Sequence, residues 1–157
     1  NPGPQNHAGG LTTLEEKSVG SVAKGGTGPI VGALRQGQTP EAGPGLYLMD
    51  TPTLSPESIS SMVAAGAQIA LFTTGAGNPY GSALAPTIKL TANPATARRL
   101  TRQIDFDASA AFAGTTKREA LVAPLARLMI EVAEGRVTWA ERLGECDEVI
   151  SRLEPSI

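Results

Sequence analysis

LYLMDTPTLSPESISSMVAAGAQIALFTT, residues 46–74, is the stretch that decides the fold. LYLM (46–49) is a short apolar run cut off at Asp50-Thr51-Pro52, and proline disfavours the helical region at the residue before it, so the run ends as a strand. Ser55-Pro56-Glu57 then offers an N-cap with proline at the first helical position, and predicts a helix over 56–65 that Gly66 stops. QIALFTT (68–74) is almost continuously apolar and closes in two threonines, as expected of a strand buried on both faces. Strand, helix and strand joined by tight connections make a βαβ unit. LYLM and QIALFTT are therefore expected to be adjacent parallel strands with a right-handed crossover. The fold class that follows is α/β, a single domain with a mainly parallel, Rossmann-like sheet covered by helices.

Outward from this unit, TIKLTA (87–92) alternates and reads as a further strand. Leu121, Leu125, Leu128 and Val132 share one helical face, so a helix over about 116–134 is expected to pack on the sheet. Pro124 should kink it or mark its first turn, and Gly135 should stop it. Trp139 is expected to anchor the tail to the core. The Gly/Pro-rich stretch 75–86 is long for a simple connection and reads as a functional loop.

On the N-terminal side, GGLTTLEEKSVG (9–20) matches the capping-box pattern twice, as Thr12 with Glu15 and as Thr13 with Glu16. A short helix ending near Gly25-Gly26 follows from either. Lys17 and the glycine pair upstream are not needed for a cap, which leaves open a second role as the lip of an active site.

Composition narrows the function classes. With 13 basic and 15 acidic residues the 157-residue chain is nearly neutral, which argues against nucleic acid or an anionic membrane as the main partner. No apolar run reaches the length of a membrane span, so no membrane association is expected. The single cysteine, Cys146, excludes an internal disulfide and a multi-cysteine zinc site, and a cytoplasmic protein is the simple inference. His7, the only histidine, lies in a Gly/Pro-rich segment and reads as a solvated loop residue.

In open parallel sheets ligands bind beyond the carboxyl ends of the strands. Two polar clusters fall there, Asp50-Thr51 after the first strand and Thr73-Thr74-Gly75-Ala76-Gly77-Asn78 after the second. Their hydroxyls, amide and glycine-exposed backbone suit a small polyhydroxylated or carboxylated ligand, although turn formation alone accounts for either cluster singly. Nucleotide binding fits poorly. Gly81 falls one position too late for G-x-G-x-x-G, and Pro79 and Pro86 leave no room for the helix that should receive a pyrophosphate. Ser-His-Asp catalysis lacks both a G-x-S-x-G elbow and a partner for His7.

The segments GGLTTLEEKSVG (9–20), GLYLMDTP (45–52), AAGAQIALFTTGAGNPYG (64–81), PTIKLTANP (86–94) and IDFDAS (104–109), in this order, resemble the C-terminal region of the altronate and galactarate dehydratases, a family that also includes the large subunit of sulfolactate sulfo-lyase. The resemblance covers nearly the whole chain. It implies a hydro-lyase of sugar-acid catabolism in bacteria, removing the proton beside a carboxylate and expelling the neighbouring hydroxyl to give a 2-keto-3-deoxy acid. It also implies a divalent metal, commonly iron, that stabilises the enediolate in the full-length enzyme, with none expected in this chain alone.

On that resemblance Glu15 and Lys17 are the candidate proton-transfer groups. Asn6, Thr12, Thr13, Asp50, Thr51, Thr73, Thr74 and Asn78 are the candidate partners of an aldarate or aldonate. Relatives usually read TTGRG where this chain has Ala76 in TTGAG, and glycine where Gln5 precedes Asn6. These departures keep two further readings in view: a lyase acting on another hydroxy acid such as sulfolactate, and a non-catalytic acid-binding or assembly domain. The family's enzymes are longer, so the chain is expected to be the C-terminal portion of a polypeptide whose preceding domain is its partner, with self-association left open.

Overall fold

The computed structural model describes residues 2–52 and 54–149. Helices and strands follow in the order α1 (Pro4–Ala8), α2 (Leu14–Ala23), β1 (Ile30–Leu34), β2 (Leu46–Met49), α3 (Ser55–Ala64), β3 (Ala70–Thr73), β4 (Thr87–Thr91), α4 (Pro94–Arg99), β5 (Phe106–Asp107), α5 (Ser109–Phe112), a 3-10 turn at Arg118–Leu121, α6 (Val122–Ala133) and α7 (Trp139–Leu143). The strands form two open sheets, β1-β2 and β3-β4-β5, and every pairing is parallel. The α/β class is thus the observed one.

The crossover unit departs from expectation in one respect. LYLM and QIALFTT form β2 and β3 on either side of α3, but they belong to different sheets and are not hydrogen-bonded to each other. β2 pairs with β1, a strand not expected from the sequence, and β3 pairs with β4. Side chains of Met49, Ile59, Met62, Leu71 and Phe72 line the space between β2 and β3. Leu71 accordingly stays 44% exposed, so β3 is not buried on both faces.

The central strand is β4, where Thr87, Ile88, Lys89 and Thr91 are all buried, against the expected alternation. A strand flanked on both sides and covered by helix has no solvent face for a polar position to occupy. Its Ile88 packs with Leu128 and Val132 of α6, joined by Ile69, Phe106 and Met129, and this cluster is the core. Truncating Leu128 to alanine there would cost about 2–5 kcal/mol. The expected helix over 116–134 is divided into the 3-10 turn and α6, with Pro124 in the first turn of α6 where its missing N–H costs nothing. Gly135, at φ 104°, provides the left-handed stop.

At the start of α3, Leu54 rather than Ser55 is the cap residue, and no side chain satisfies the first amides. Trp139 is only half-buried. The anchoring is done by its backbone amide, which donates to Asp105 Oδ1 at 2.9 Å, and by the neighbouring Ala140, which is 1% exposed. Beyond α7 the chain returns along the 75–86 connection, with a parallel bridge between Gly81 and Cys146 and the Asp147 amide on the Gly81 carbonyl at 3.0 Å.

Candidate functional site

α2 is built by a capping box. Thr13 Oγ1 accepts from the Glu16 amide at 3.2 Å, and the Glu16 carboxylate accepts from the Thr13 amide at 3.3 Å. The same carboxylate takes the Thr12 amide at 2.7 Å and the Thr12 hydroxyl at 2.8 Å. These bonds, the Thr12 amide foremost, hold Glu16 below the usual glutamate range. Of the two boxes legible in the sequence, only the Thr13–Glu16 one forms, so Thr12 and Thr13 are committed to the helix start. The helix positions two side chains over the carboxyl ends of the strands, Ser18 and Lys24.

Two clefts open at that edge. One, of about 530 Å³, lies between β2 and β3 and includes Ser18, Asp50, Thr51, Ser55, Ser58 and Thr73 in its wall. Thr51 and Ser58 bond each other through their hydroxyls at 3.0 Å. The other, of about 660 Å³, lies over β3, β4 and α4 and is lined by Lys24, Thr73, Thr74, Gly75 and Asn93 with Leu90, Pro94 and Phe112 as apolar wall. Thr73 belongs to both.

The turn after β3 is held from behind. The Gly75 carbonyl accepts from Thr96 Oγ1 at 2.6 Å and Asn93 Nδ2 at 3.1 Å, and the Ala76 carbonyl accepts from Arg99 Nη2 at 2.8 Å. The Gly77 amide donates to Thr74 Oγ1 at 3.0 Å. Gly77 has φ 97°, and a Cβ there would collide with the Leu100 side chain, so both conformation and space require glycine.

The structure thus brings together Asp50, Thr51, Thr73 and Thr74 among the residues singled out in the sequence. Asn6 and Lys17 meet each other instead, with Lys17 Nζ 3.4 Å from Asn6 Oδ1, while Asn6 Oδ1 also accepts from the Gly3 amide at 3.0 Å. Glu15 is exposed in the first turn of α2 and lines neither cleft. Asn78 closes a local turn by accepting the Tyr80 amide at 2.9 Å. Sequence reasoning missed Lys24, Ser18 and Asn93. Lys24 follows the last turn of α2, where a cation reads as a partner of the helix dipole.

A second polar cluster, also missed, lies behind the edge. Lys89, fully buried on β4, donates to Glu145 Oε2 at 2.9 Å and to the Pro79 carbonyl at 3.0 Å. Its signal was a lysine inside the otherwise strand-like TIKLT. Asp105, which accepts the Lys89 amide at 2.9 Å, is pushed above the usual aspartate range by burial. Glu148 accepts from the Ser82 hydroxyl, from Ser60 Oγ at 2.7 Å and from the Ala83 amide at 2.9 Å. Burial raises its pKa, but these hydrogen bonds together outweigh burial and leave it below the usual glutamate range.

Among the described residues, no three His, Cys, Asp or Glu side chains converge as a metal site would require. Asp50 stands at the edge as a single carboxylate, and these residues by themselves do not fit a catalytic metal. No helix of the described residues is long and apolar enough to cross a membrane.

Comparison with known proteins identifies the family. The profile of the family described as D-galactarate/Altronate dehydratase, C-terminal, matches residues 1–156. The chain is 37% identical to the (2R)-sulfolactate sulfo-lyase subunit beta of Chromohalobacter salexigens over 99% of its own length and 40% of that protein's. It is 38% identical to the altronate dehydratase of Escherichia coli over 90% of its length and 28% of that protein's. With the galactarate dehydratase (L-threo-forming) of the same organism the identity is 35%, over 92% and 28% of the two lengths. The chain therefore spans well under half the length of these relatives.

Proposed function

Because the chain belongs to the C-terminal family of the D-galactarate and altronate dehydratases, we propose that it forms the C-terminal part of a sugar-acid hydro-lyase and that the carboxyl edge of β2 and β3 is its share of the substrate site. The observation that carries this reading is the convergence of Asp50, Thr51 and Thr73 on one cleft between β2 and β3, continuous at Thr73 with a second cleft. Hydroxyls and one carboxylate at strand ends match the hydrogen-bonding needs of a polyhydroxylated acid.

The reaction removes the proton on the carbon beside a carboxylate, leaving its electron pair in an enediolate. The neighbouring carbon–oxygen bond then breaks, the hydroxyl departs with a proton as water, and the enol tautomerises to a 2-keto-3-deoxy acid. Lys17 and Glu15 are the proposed proton-transfer groups. They lie on α2 within a turn of Ser18, which is in the cleft wall, and Lys17 is held by Asn6. Thr12 and Thr13 set the start of that helix, and Asn78 shapes the turn behind Thr74.

The described residues do not by themselves make a site for a metal ion. The rest of the reading, a preceding domain of the same polypeptide against this edge and a cytoplasmic enzyme, belongs to the same proposal. One further observation favours a second substrate class. The match to the sulfo-lyase subunit extends over 99% of the chain, against 90% for altronate dehydratase, so (2R)-sulfolactate belongs in the same assay. Purified full-length protein is to be incubated with galactarate, altronate and (2R)-sulfolactate, following keto-acid formation and sulfite release. Keto acid from either sugar acid is the expected result; sulfite alone moves the assignment to the sulfo-lyase, and inactivity on all three overturns the lyase reading.

A further inference from the structure

The two clefts that share Thr73 differ in chemistry. The one over β3, β4 and α4 offers donors. The Lys24 ammonium bonds no described residue, and the Thr73 hydroxyl is likewise unengaged. Thr74 Oγ1 already accepts the Gly77 amide, which leaves its proton to give. Asn93 is spent internally, its amide nitrogen on the Gly75 carbonyl and its oxygen on the Ala95 amide. Among the described residues no aspartate or glutamate lines this cleft. The cleft between β2 and β3 has the opposite character, with the Asp50 carboxylate beside the Ser18, Ser55 and Thr51 hydroxyls and no cation among the described residues of its wall.

A carboxylate ligand discriminates sharply between such neighbours. Beside Asp50 it would face a like charge, and beside Lys24 an opposite one with two hydroxyl donors at hand. Sugar hydroxyls, by contrast, can donate to Asp50, and charged acceptors bind them more strongly than neutral ones.

Resting on the reading of this edge as a sugar-acid site, we propose that Lys24 binds a carboxylate of the acid and Asp50 its hydroxyl groups, so that the ligand lies across Thr73 from one cleft into the other. Lys24, rather than the Lys17 of the LTTLEEK motif, is then the cation that selects acids over neutral polyols.

The test is equilibrium binding to the full-length protein, wild type, Lys24→Met, Lys24→Arg and Asp50→Asn, with galactarate and altronate as acids and galactitol as the uncharged counterpart. Lys24→Met is expected to weaken the acids tenfold or more, about 1.4 kcal/mol, and to leave galactitol within twofold. Lys24→Arg should recover the acids to within threefold of wild type, and Asp50→Asn should weaken acids and galactitol alike. Equal acid binding by wild type and Lys24→Met, or an equal loss of galactitol, overturns the proposal. Keto-acid formation by the same four proteins separates this from the lyase reading. Lys24-dependent acid binding without turnover sinks the lyase and keeps Lys24, turnover with Lys24→Met unaffected does the reverse, and a wild type that neither binds nor reacts overturns both.

Discussion

Lys89 Nζ lies 2.9 Å from Glu145 Oε2 with the lysine side chain wholly buried and the glutamate side chain 23% exposed. The asymmetry in burial makes the two halves of the pair unequal. Glu145→Ala strands a buried ammonium and is expected to cost about 3–5 kcal/mol. Lys89→Met replaces the cation by an apolar chain of similar length and leaves a carboxylate that can turn to water, so its cost should be about 1–2 kcal/mol, chiefly the lost bond to the Pro79 carbonyl. Urea denaturation of the two variants checks this, and equal or reversed costs would show that the pair is not buried as described.

Glu148, in the chain beyond α7, gives a pH dependence. Glu148 has a folded-state pKa below its unfolded value, so the folded form binds fewer protons than the unfolded chain as acid is added. Its contribution is fully present above the ordinary glutamate value of about 4.3 and is lost as pH falls through the lower folded one. Asp105, raised by burial, works in the other direction, because acidification relieves the cost of its buried charge. Glu148→Gln should therefore flatten the acid limb of a Tm-against-pH curve while leaving the Asp105 contribution. An unchanged limb in that variant would remove Glu148 as its source.

Gly81 has no room for a side chain. A Cβ built there would stand 2.6 Å from the Ala140 Cβ and 2.8 Å from the Glu145 carbonyl oxygen, which is backbone and cannot yield alone. Gly81→Ala is expected to lift the Glu145–Asp147 segment from the loop and destabilise the protein by about 1–3 kcal/mol. Hydrogen exchange at the Asp147 amide, which bonds the Gly81 carbonyl at 3.0 Å, should rise with it. Retained protection there would contradict the packing.

The Thr13 cap and the charged residues after it can be separated by substitution. Thr13→Ala is expected to cost about 1 kcal/mol of stability with turnover of the full-length enzyme nearly intact. Glu15→Gln or Lys17→Met should lower turnover about a hundredfold or more, the scale of a lost general acid or base. Full activity in both charge variants, with only stability altered, reduces the motif to a helix start.

Metal retention distinguishes a self-contained site from a shared one. Since Asp50 is a lone carboxylate among the described edge residues, the 157-residue chain dialysed after exposure to ferrous ion should keep substoichiometric metal and form no keto acid from galactarate or altronate. Stoichiometric retention, or turnover by the chain alone, would place the chemistry inside this chain.

Much was settled by local chemistry. The apolar runs at LYLM and QIALFTT and the alternation of TIKLT pointed to an α/β chain with parallel strands, because short runs of apolar, β-branched and aromatic residues between glycine and proline breaks favour strands. Pro52, Pro56, Gly66 and Gly135 set element ends to within a residue or two through backbone restrictions that act without tertiary help. The Thr13–Glu16 box was legible for the same reason, since its partners are three residues apart, and the order of motifs was enough to place the family.

Only the tertiary structure decided which strands pair, and hence that β2 and β3 part to leave a cleft. Pairing depends on the competition of β1 and β4 for the same edges, and no local pattern records the outcome of that competition. It decided likewise that Thr73 joins two clefts, that Lys24 overlooks one of them, and that Lys89 and Glu145, 56 residues apart, meet in the interior. A lysine in a strand and a glutamate in a tail carry no mark of each other, and their partnership exists because chain closure brings together groups whose burial apart would be too costly.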